Sequence, residues 1–296
     1  MSVQSNHGTH TPPILLTIAG FDPSCGAGVS ADLKTFAAHN CYGIAAITAL
    51  TVQSTQGVRS VHPTPAPTLR AQLDALAEDC CIAAVKIGML GTKANAVAVS
   101  EFLDKNKFAH VVLDPVTKPT AGLPELIDEG GLTFLRDEFI RRATVITPNI
   151  PEAEFLTGIP IKDVNDMKTA ALKLGEQGAK AVIVTGGHFE KPVDVLWEGG
   201  EVTQLAGDAV KSENTHGSGC TFSSAIAAQL ALGQQLHEAA ILAKAYVTKA
   251  IEKSYSVGKG PGPLNHFYRF YQEPPTRGVH EVPQHGLHPA AEPAAN

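Results

Sequence analysis

Short apolar runs alternate with helix-period segments along most of this chain, and that alternation leaves few folds open. Strand-like runs fall at residues 14–18, 44–50, 84–87, 111–113, 144–146 and 181–184. Most are continuously apolar, the pattern of strands buried on both faces. Helical patterns occupy residues 29–38, 68–78, 93–103, 163–177, 222–232 and 236–254. The succession predicts an α/β domain with a mainly parallel central sheet flanked by helices. Runs at 193–197 and 202–205 flank Glu198-Gly199-Gly200-Glu201, a hairpin signal at a sheet edge.

The ends differ from this core. Residues 1–12 are polar, and residues 273–296 are rich in Pro, Gly, His and Ala, so both are expected to be disordered around one domain at 13–272. The tail histidines His280, His285 and His288 read as solvated rather than as a metal site. A net charge of −6 offers no global basic field for nucleic acid. No apolar run is long enough to span a membrane, and the N-terminus has no signal-peptide core. The five cysteines, Cys25, Cys41, Cys80, Cys81 and Cys220, form no C-x-x-C pair, so neither a disulfide scaffold nor a zinc site is indicated. A reducing cytoplasm is the expected compartment.

In open parallel sheets ligands bind beyond the carboxyl ends of the strands. Glycine and polar clusters follow the apolar runs there: Gly20 to Gly28, Gly88 to Gly91, Asp114 to Val116, Thr147 to Asn149, and Thr185 to His188. A further turn, Asn214-Thr215-His216-Gly217-Ser218-Gly219-Cys220, runs straight into a helical pattern. Glycines expose backbone N–H groups, and a helix start adds unpaired donors and a positive dipole end. The turn therefore reads as an anion site with a thiol at its rim, whose pKa the helix start should lower. No Walker A pattern occurs, and the Gly20–Gly28 spacing is not a dinucleotide fingerprint.

The order of these clusters carries a resemblance. Ala19 to Gly28 with Ala31 to Phe36, Thr48 to Gln53, Lys86 to Leu90, Asp114 to Val116, Thr147 to Asn149 with Pro151 to Ala153, Asn214 to Cys220, and Val257 to Pro263 together match one family. Over residues 13–270 the chain resembles the hydroxymethylpyrimidine/phosphomethylpyrimidine kinases, thiamine-biosynthesis members of the ribokinase superfamily. The resemblance implies a ribokinase-like fold, dependence on ATP and Mg2+, and transfer of the γ-phosphoryl group to 4-amino-5-hydroxymethyl-2-methylpyrimidine and then to its monophosphate. Two other readings stand beside it. One is a pyridoxal or pyridoxine kinase, or dual activity; the other is a non-catalytic pyrimidine sensor on the same fold.

The resemblance also implies roles. Gly217, Ser218 and Gly219 would hold charge on the transferred phosphoryl group, and Cys220 would accept the alcohol proton. Cys220 could instead be a small packed residue at a helix start. Gly20, Ala27, Asp32, Gln53, Met89 and Val116 would contact the pyrimidine, with Met89 and Val116 as apolar faces and Gln53 as a polar reader. Asp32 has a structural alternative, because it sits inside the first helix.

Asn149, Glu152, Thr185, Gly187 and Lys259 would serve the nucleotide. Asp114 and Glu152 would join the magnesium network, Glu152 mainly through water. Glu152 has the alternative of capping the helix after Pro151. The expected partners are the small pyrimidine alcohol and its phosphate, and relatives suggest a homodimer, with residues 193–205 as one candidate contact. Residues 118–122 suit a lid. Cys25 departs from the family by replacing a common glycine.

Overall fold

A computed structural model describes residues 11–117, 125–187 and 192–270. The candidate lid at 118–122, His188 and the three tail histidines lie outside the described residues.

Among the described residues nine strands form one sheet: β1 (Ile14–Phe21), β2 (Tyr42–Ser54), β3 (Gly57–Pro63), β4 (Ile82–Ile87), β5 (Val111–Leu113), β6 (Val145–Ile146), β7 (Ala181–Val184), β8 (Val193–Glu198) and β9 (Glu201–Ala206). Their order is β3-β2-β1-β4-β5-β6-β7-β8-β9. The six from β2 to β7 run parallel, and antiparallel strands close both edges. Eight α-helices accompany them among the described residues: α1 (Gly28–Ala38), α2 (Ala66–Asp79), α3 (Lys93–Asn106), α4 (Glu129–Phe134), α5 (Ile150–Thr157), α6 (Val164–Glu176), α7 (Ser218–Ala231) and α8 (Leu236–Glu252). No helix among the described residues is long and apolar enough to cross a membrane.

Strand parity sorts the core into two layers. Leu16, Ile18, Val85, Ile87, Val111, Leu113, Val182 and Val184 face α2, α3, α5 and α6. Leu15, Ala84, Val112, Ala181 and Ile183 face α1, α7 and α8. Side chains alternate across a strand, so an uninterrupted apolar run buries both faces at once. This is why the central strands were readable as such.

The differences from the sequence reading concern one edge and two short helices, α4 and α5. β2 extends well beyond residues 44–50 and pairs with β3, which the periodicity does not signal. β3 reads GVRSVHP, with only Val58 buried, because an edge strand has little apolar surface to hide. α5 has only eight residues, too few for a periodic pattern, but its start is fixed by a capping box. At the other edge β8 and β9 form the expected hairpin. Gly199 (φ 59°) and Gly200 (φ 91°) supply the two left-handed residues of its turn.

Candidate active site

Backbone hydrogen bonds step across the carboxyl ends of the parallel strands. Gly88 N–H donates to the Ile18 carbonyl (2.9 Å), Asp114 N–H to Ile87 (2.8 Å), Thr147 N–H to Leu113 (2.9 Å), and Thr185 N–H to Pro148 (2.9 Å). Each strand extension is thus fixed against its neighbour. The clusters at 88–90, 114–116, 147–149 and 185–187 are held along one sheet edge.

The loop after β1 is organised by Asp22. Its Oδ1 accepts from the Ser24 N–H and hydroxyl, and its Oδ2 from the N–H groups of Gly26 and Ala27. His216, from the turn before α7, adds a contact of 2.8 Å from Nε2 to Oδ2. Burial pushes the Asp22 carboxyl up, but the hydrogen bonds from His216 and Ser24 outweigh it and hold the group below its ordinary range. The N–H groups of this loop are therefore filled by the protein's own carboxylate. Cys25 adopts φ 58°, which explains why a glycine would be at ease there.

That loop meets the second glycine-rich turn backbone to backbone. Gly217 has φ +83°, and a Cβ on it would collide with the Gly26 carbonyl oxygen. Only glycine satisfies both demands. Thr221 N–H makes the first intrahelical bond, to the Gly217 carbonyl (2.9 Å). Ser218 N–H is occupied by the Thr215 carbonyl (3.2 Å), which makes it a weaker candidate for binding an anion than expected. Gly219 is exposed, and a Cβ there would meet nothing within 4 Å. The space over the helix start opens at Gly219, where the positive end of α7 is directed.

Cys220 corrects one expectation. Its thiol is not lowered by the helix start but pushed up to about 12, because burial and the nearby carboxylates of Asp114 and Asp32 outweigh Lys86 and the Gly28 N–H. Asp114, whose carboxyl Cys220 helps to stabilise, also receives the Ser223 hydroxyl at 3.4 Å.

Beneath them Lys86 is fully buried, 2.9 Å from Asp32 and 3.9 Å from Asp114. Burial works against its charge, but Asp32, Cys220 and Asp114 hold its ammonium above the ordinary lysine range. Asp32, also fully buried, accepts from Thr17 (2.6 Å) and Ser224 (2.7 Å). It therefore joins β1, α1, β4 and α7.

The other acceptor candidates gather above. Met89 packs with Ala49, Val58, Leu126, Val61 and Val116. A Cβ on Gly20 would come within 2.9 Å of Met89 Sδ, so this strand end stays close to the sulfur only without a side chain. Gln53 is half-buried, its Nε2 3.4 Å from His216 Nε2 and its Oε1 accepting from Thr51. Ala27 lies on the Asp22 loop.

Of the residues expected to serve the nucleotide, Asn149 caps α5 and bridges Thr185. Glu152 Oε2 accepts from the Asn149 N–H at 2.9 Å, and Asn149 Oδ1 from the Glu152 N–H at 3.0 Å. The capping alternative is thus realised. Glu152 is pushed up to about 8, by burial first and then by Asp114, against hydrogen bonds from Asn149 and Thr117. Gly186 N–H donates to buried Asp194 (3.0 Å), which pairs with Lys244 (2.7 Å). Gly187 is exposed. Lys259 is exposed on the segment that follows α8, where Gly262 N–H donates to Asn214 Oδ1 (2.8 Å) and Gly260 N–H to Thr55 Oγ1 (3.2 Å).

Three residues of this site were not singled out from sequence: Asp22, His216 and Lys86. Lys86 carried a signal, since a lysine inside an apolar strand run must find a buried partner. The other two meet only through the fold.

A family model described as "Phosphomethylpyrimidine kinase" matches residues 22–265. A hydroxymethylpyrimidine/phosphomethylpyrimidine kinase from Bacillus subtilis (strain 168) is 43% identical over 255 residues, 85% of this chain and 94% of that protein. The solved phosphomethylpyrimidine kinase from Clostridium difficile 630 superposes with a TM-score of 0.72 at 40% identity, covering 81% of this chain and 99% of that one. The pyridoxal kinase from Staphylococcus aureus in complex with AMP-PCP and pyridoxal gives 0.79 at 34% identity, covering 86% and 94%.

Proposed function

The chain belongs to the phosphomethylpyrimidine kinase family, and from that premise we propose how its residues divide the work. It is an ATP-dependent kinase of thiamine biosynthesis that phosphorylates 4-amino-5-hydroxymethyl-2-methylpyrimidine and then the monophosphate. The observation that carries the reading is the meeting of two loops. The turn entering α7 lies against the loop that borders the Gly20, Met89 and Val116 cluster.

In this reading the acceptor ring rests on Met89 and Val116, beside Gly20, with Gln53 at its edge. The nucleotide lies along Asn149, Thr185 and Gly187, with Lys259 offsetting charge. The acceptor oxygen attacks the γ-phosphorus, the bond to the β–γ bridging oxygen breaks, and ADP leaves. Charge on the moving phosphoryl group meets the N–H donors of Gly217 and Gly219 and the positive end of α7. The Cys220 sulfur is the proposed acceptor of the alcohol proton, for which the thiol must first give up its own proton to water. Asp32 positions Cys220 and Asp114 from below through Lys86.

The residues present fit a hard cation. Asp114 and Glu152 offer only oxygen donors, and the charge of Asp114 helps push Glu152 up, a repulsion that a divalent ion would relieve. Mg2+ would neutralise phosphate charge when bound, with Asp114 and Glu152 holding it, the latter through water.

Pyridoxal kinase is the second reading, favoured by the likeness to the pyridoxal-bound S. aureus structure. A coupled ATP assay with both alcohols, resolving mono- from diphosphate products, tests the assignment. A preference for pyridoxal above about tenfold, roughly 1.4 kcal/mol, overturns it.

A homodimer is also proposed. Leu50 (52% exposed) and Val52 (47%) present an apolar face on β2, which makes this part of the sheet a better contact than the β8–β9 hairpin. Sedimentation at micromolar concentration, with Leu50→Lys as the control, decides it. Five free cysteines suit a reducing compartment, and the cytoplasm is the proposed location.

A further inference from the structure

Asp22 and His216 are separated by 194 positions, yet their side chains make the contact that ties the two glycine-rich loops together. Asp22 is 3% exposed and accepts from Ser24, Gly26 and Ala27 on its own loop as well as from His216. An ionised carboxylate only accepts hydrogen bonds, so the imidazole carries its proton on Nε2. No side chain lies between Gly26 and Gly217, whose backbones are in direct contact. His216 N–H also donates to the Gly262 carbonyl (3.2 Å), so the imidazole projects from an anchored backbone.

We propose that Asp22 and His216 form a positioning pair that sets the acceptor loop, residues 20–27, in register with the phosphoryl-stabilising turn, residues 217–219. The inference rests on the kinase reading of these loops. In-line transfer depends on the distance between acceptor oxygen and phosphorus, and a displacement of about 1 Å costs on the order of 10²-fold in rate. No other side-chain hydrogen bond links the two loops among the described residues. A shared carboxylate makes the tie shorter and stiffer than contact between two neutral turns.

The test compares His216→Ala, His216→Gln, Asp22→Ala and the Asp22→Ala/His216→Ala double variant. The glutamine amide restores a donor within reach of Asp22. Each full-length protein is assayed with ATP and the pyrimidine alcohol, with melting temperature recorded alongside. The expected result for His216→Ala is a fall in kcat of about 10- to 100-fold with the KM for ATP changed less than about threefold, partly restored in His216→Gln. The double variant should be no slower than Asp22→Ala, because the pair acts as one unit.

Unchanged kcat in a folded His216→Ala, a loss lying wholly in the KM for ATP, or losses that multiply in the double variant overturn the proposal. Should Asp22→Ala fail to fold, the His216→Ala and His216→Gln comparison decides alone. A wild type that phosphorylates neither the pyrimidine nor pyridoxal overturns the kinase reading and the pair together. An active wild type with an equally active His216→Ala overturns the pair only.

Discussion

The ammonium of Lys86 lies 2.9 Å from the carboxylate of Asp32, and neither side chain reaches solvent. The pair joins a central strand to α1, and Ser224 extends the connection to α7. Removing one partner of a buried ion pair strands the other charge, at a cost of about 3–5 kcal/mol. Lys86→Met should show a loss of that size by urea unfolding. The Lys86→Met/Asp32→Leu double variant should recover part of it. A loss under about 1 kcal/mol in the single variant would mean that water reaches Asp32.

Gly217 and Gly219 should respond oppositely to alanine. At Gly217 the methyl meets the Gly26 carbonyl, and the left-handed backbone adds strain, so Gly217→Ala should lower both stability and turnover. Gly219 lies in α7 with free space around it, so Gly219→Ala should gain up to about 1 kcal/mol of helix stability. It should still lower kcat, because the methyl enters the space proposed for the phosphoryl group. Melting curves beside kcat separate the effects, and full activity in Gly219→Ala would remove the anion from that place.

Glu152 carries two proposed duties that one substitution can divide. Glutamine is a good partner in a capping box, so Glu152→Gln should keep the α5 cap and melt within a few degrees of wild type. Its Mg2+ titration of activity should nevertheless move to higher concentration, since a neutral amide attracts the ion less. An unshifted titration would assign Glu152 to the cap alone.

Acid should weaken the packing of the chain that follows α8. His266 is buried, its Nε2 3.1 Å from Thr221 Oγ1, and burial with the charge of Lys34 lowers its pKa to about 4. The folded state thus prefers the neutral ring, while the unfolded ring titrates near its ordinary 6.5. The resulting stability is present above pH 6.5 and is lost as pH falls toward 4. Melting temperature measured from pH 7.5 to 4.5 should fall more steeply for wild type than for His266→Gln. Parallel curves would place the acid sensitivity elsewhere.

The parallel strands were legible because burial on both faces leaves an unbroken apolar run, as in Val111-Val112-Leu113. β3 was not, since an edge strand with one exposed face can be written almost entirely in polar residues. The glycine turn before α7 was legible from composition, but the state of Cys220 was not. Its thiol is governed by Lys86, Asp32 and Asp114, which reach it from three other elements. Asp22 and His216 were hidden for the same reason: each belongs to a recognisable local motif, and only the fold reveals that one motif completes the other.

The β8–β9 turn offers a practical handle on the molecule. Val184 pairs with Val195 and Ala181 with Glu198, so Gly199 and Gly200 lie at the end of the sheet opposite the strand extensions that carry the site. Nothing stands within 4 Å of a side chain added at either glycine. A fluorophore, surface linker or short epitope inserted there would report on or immobilise the enzyme from behind, leaving the face proposed to receive nucleotide and acceptor open to solution.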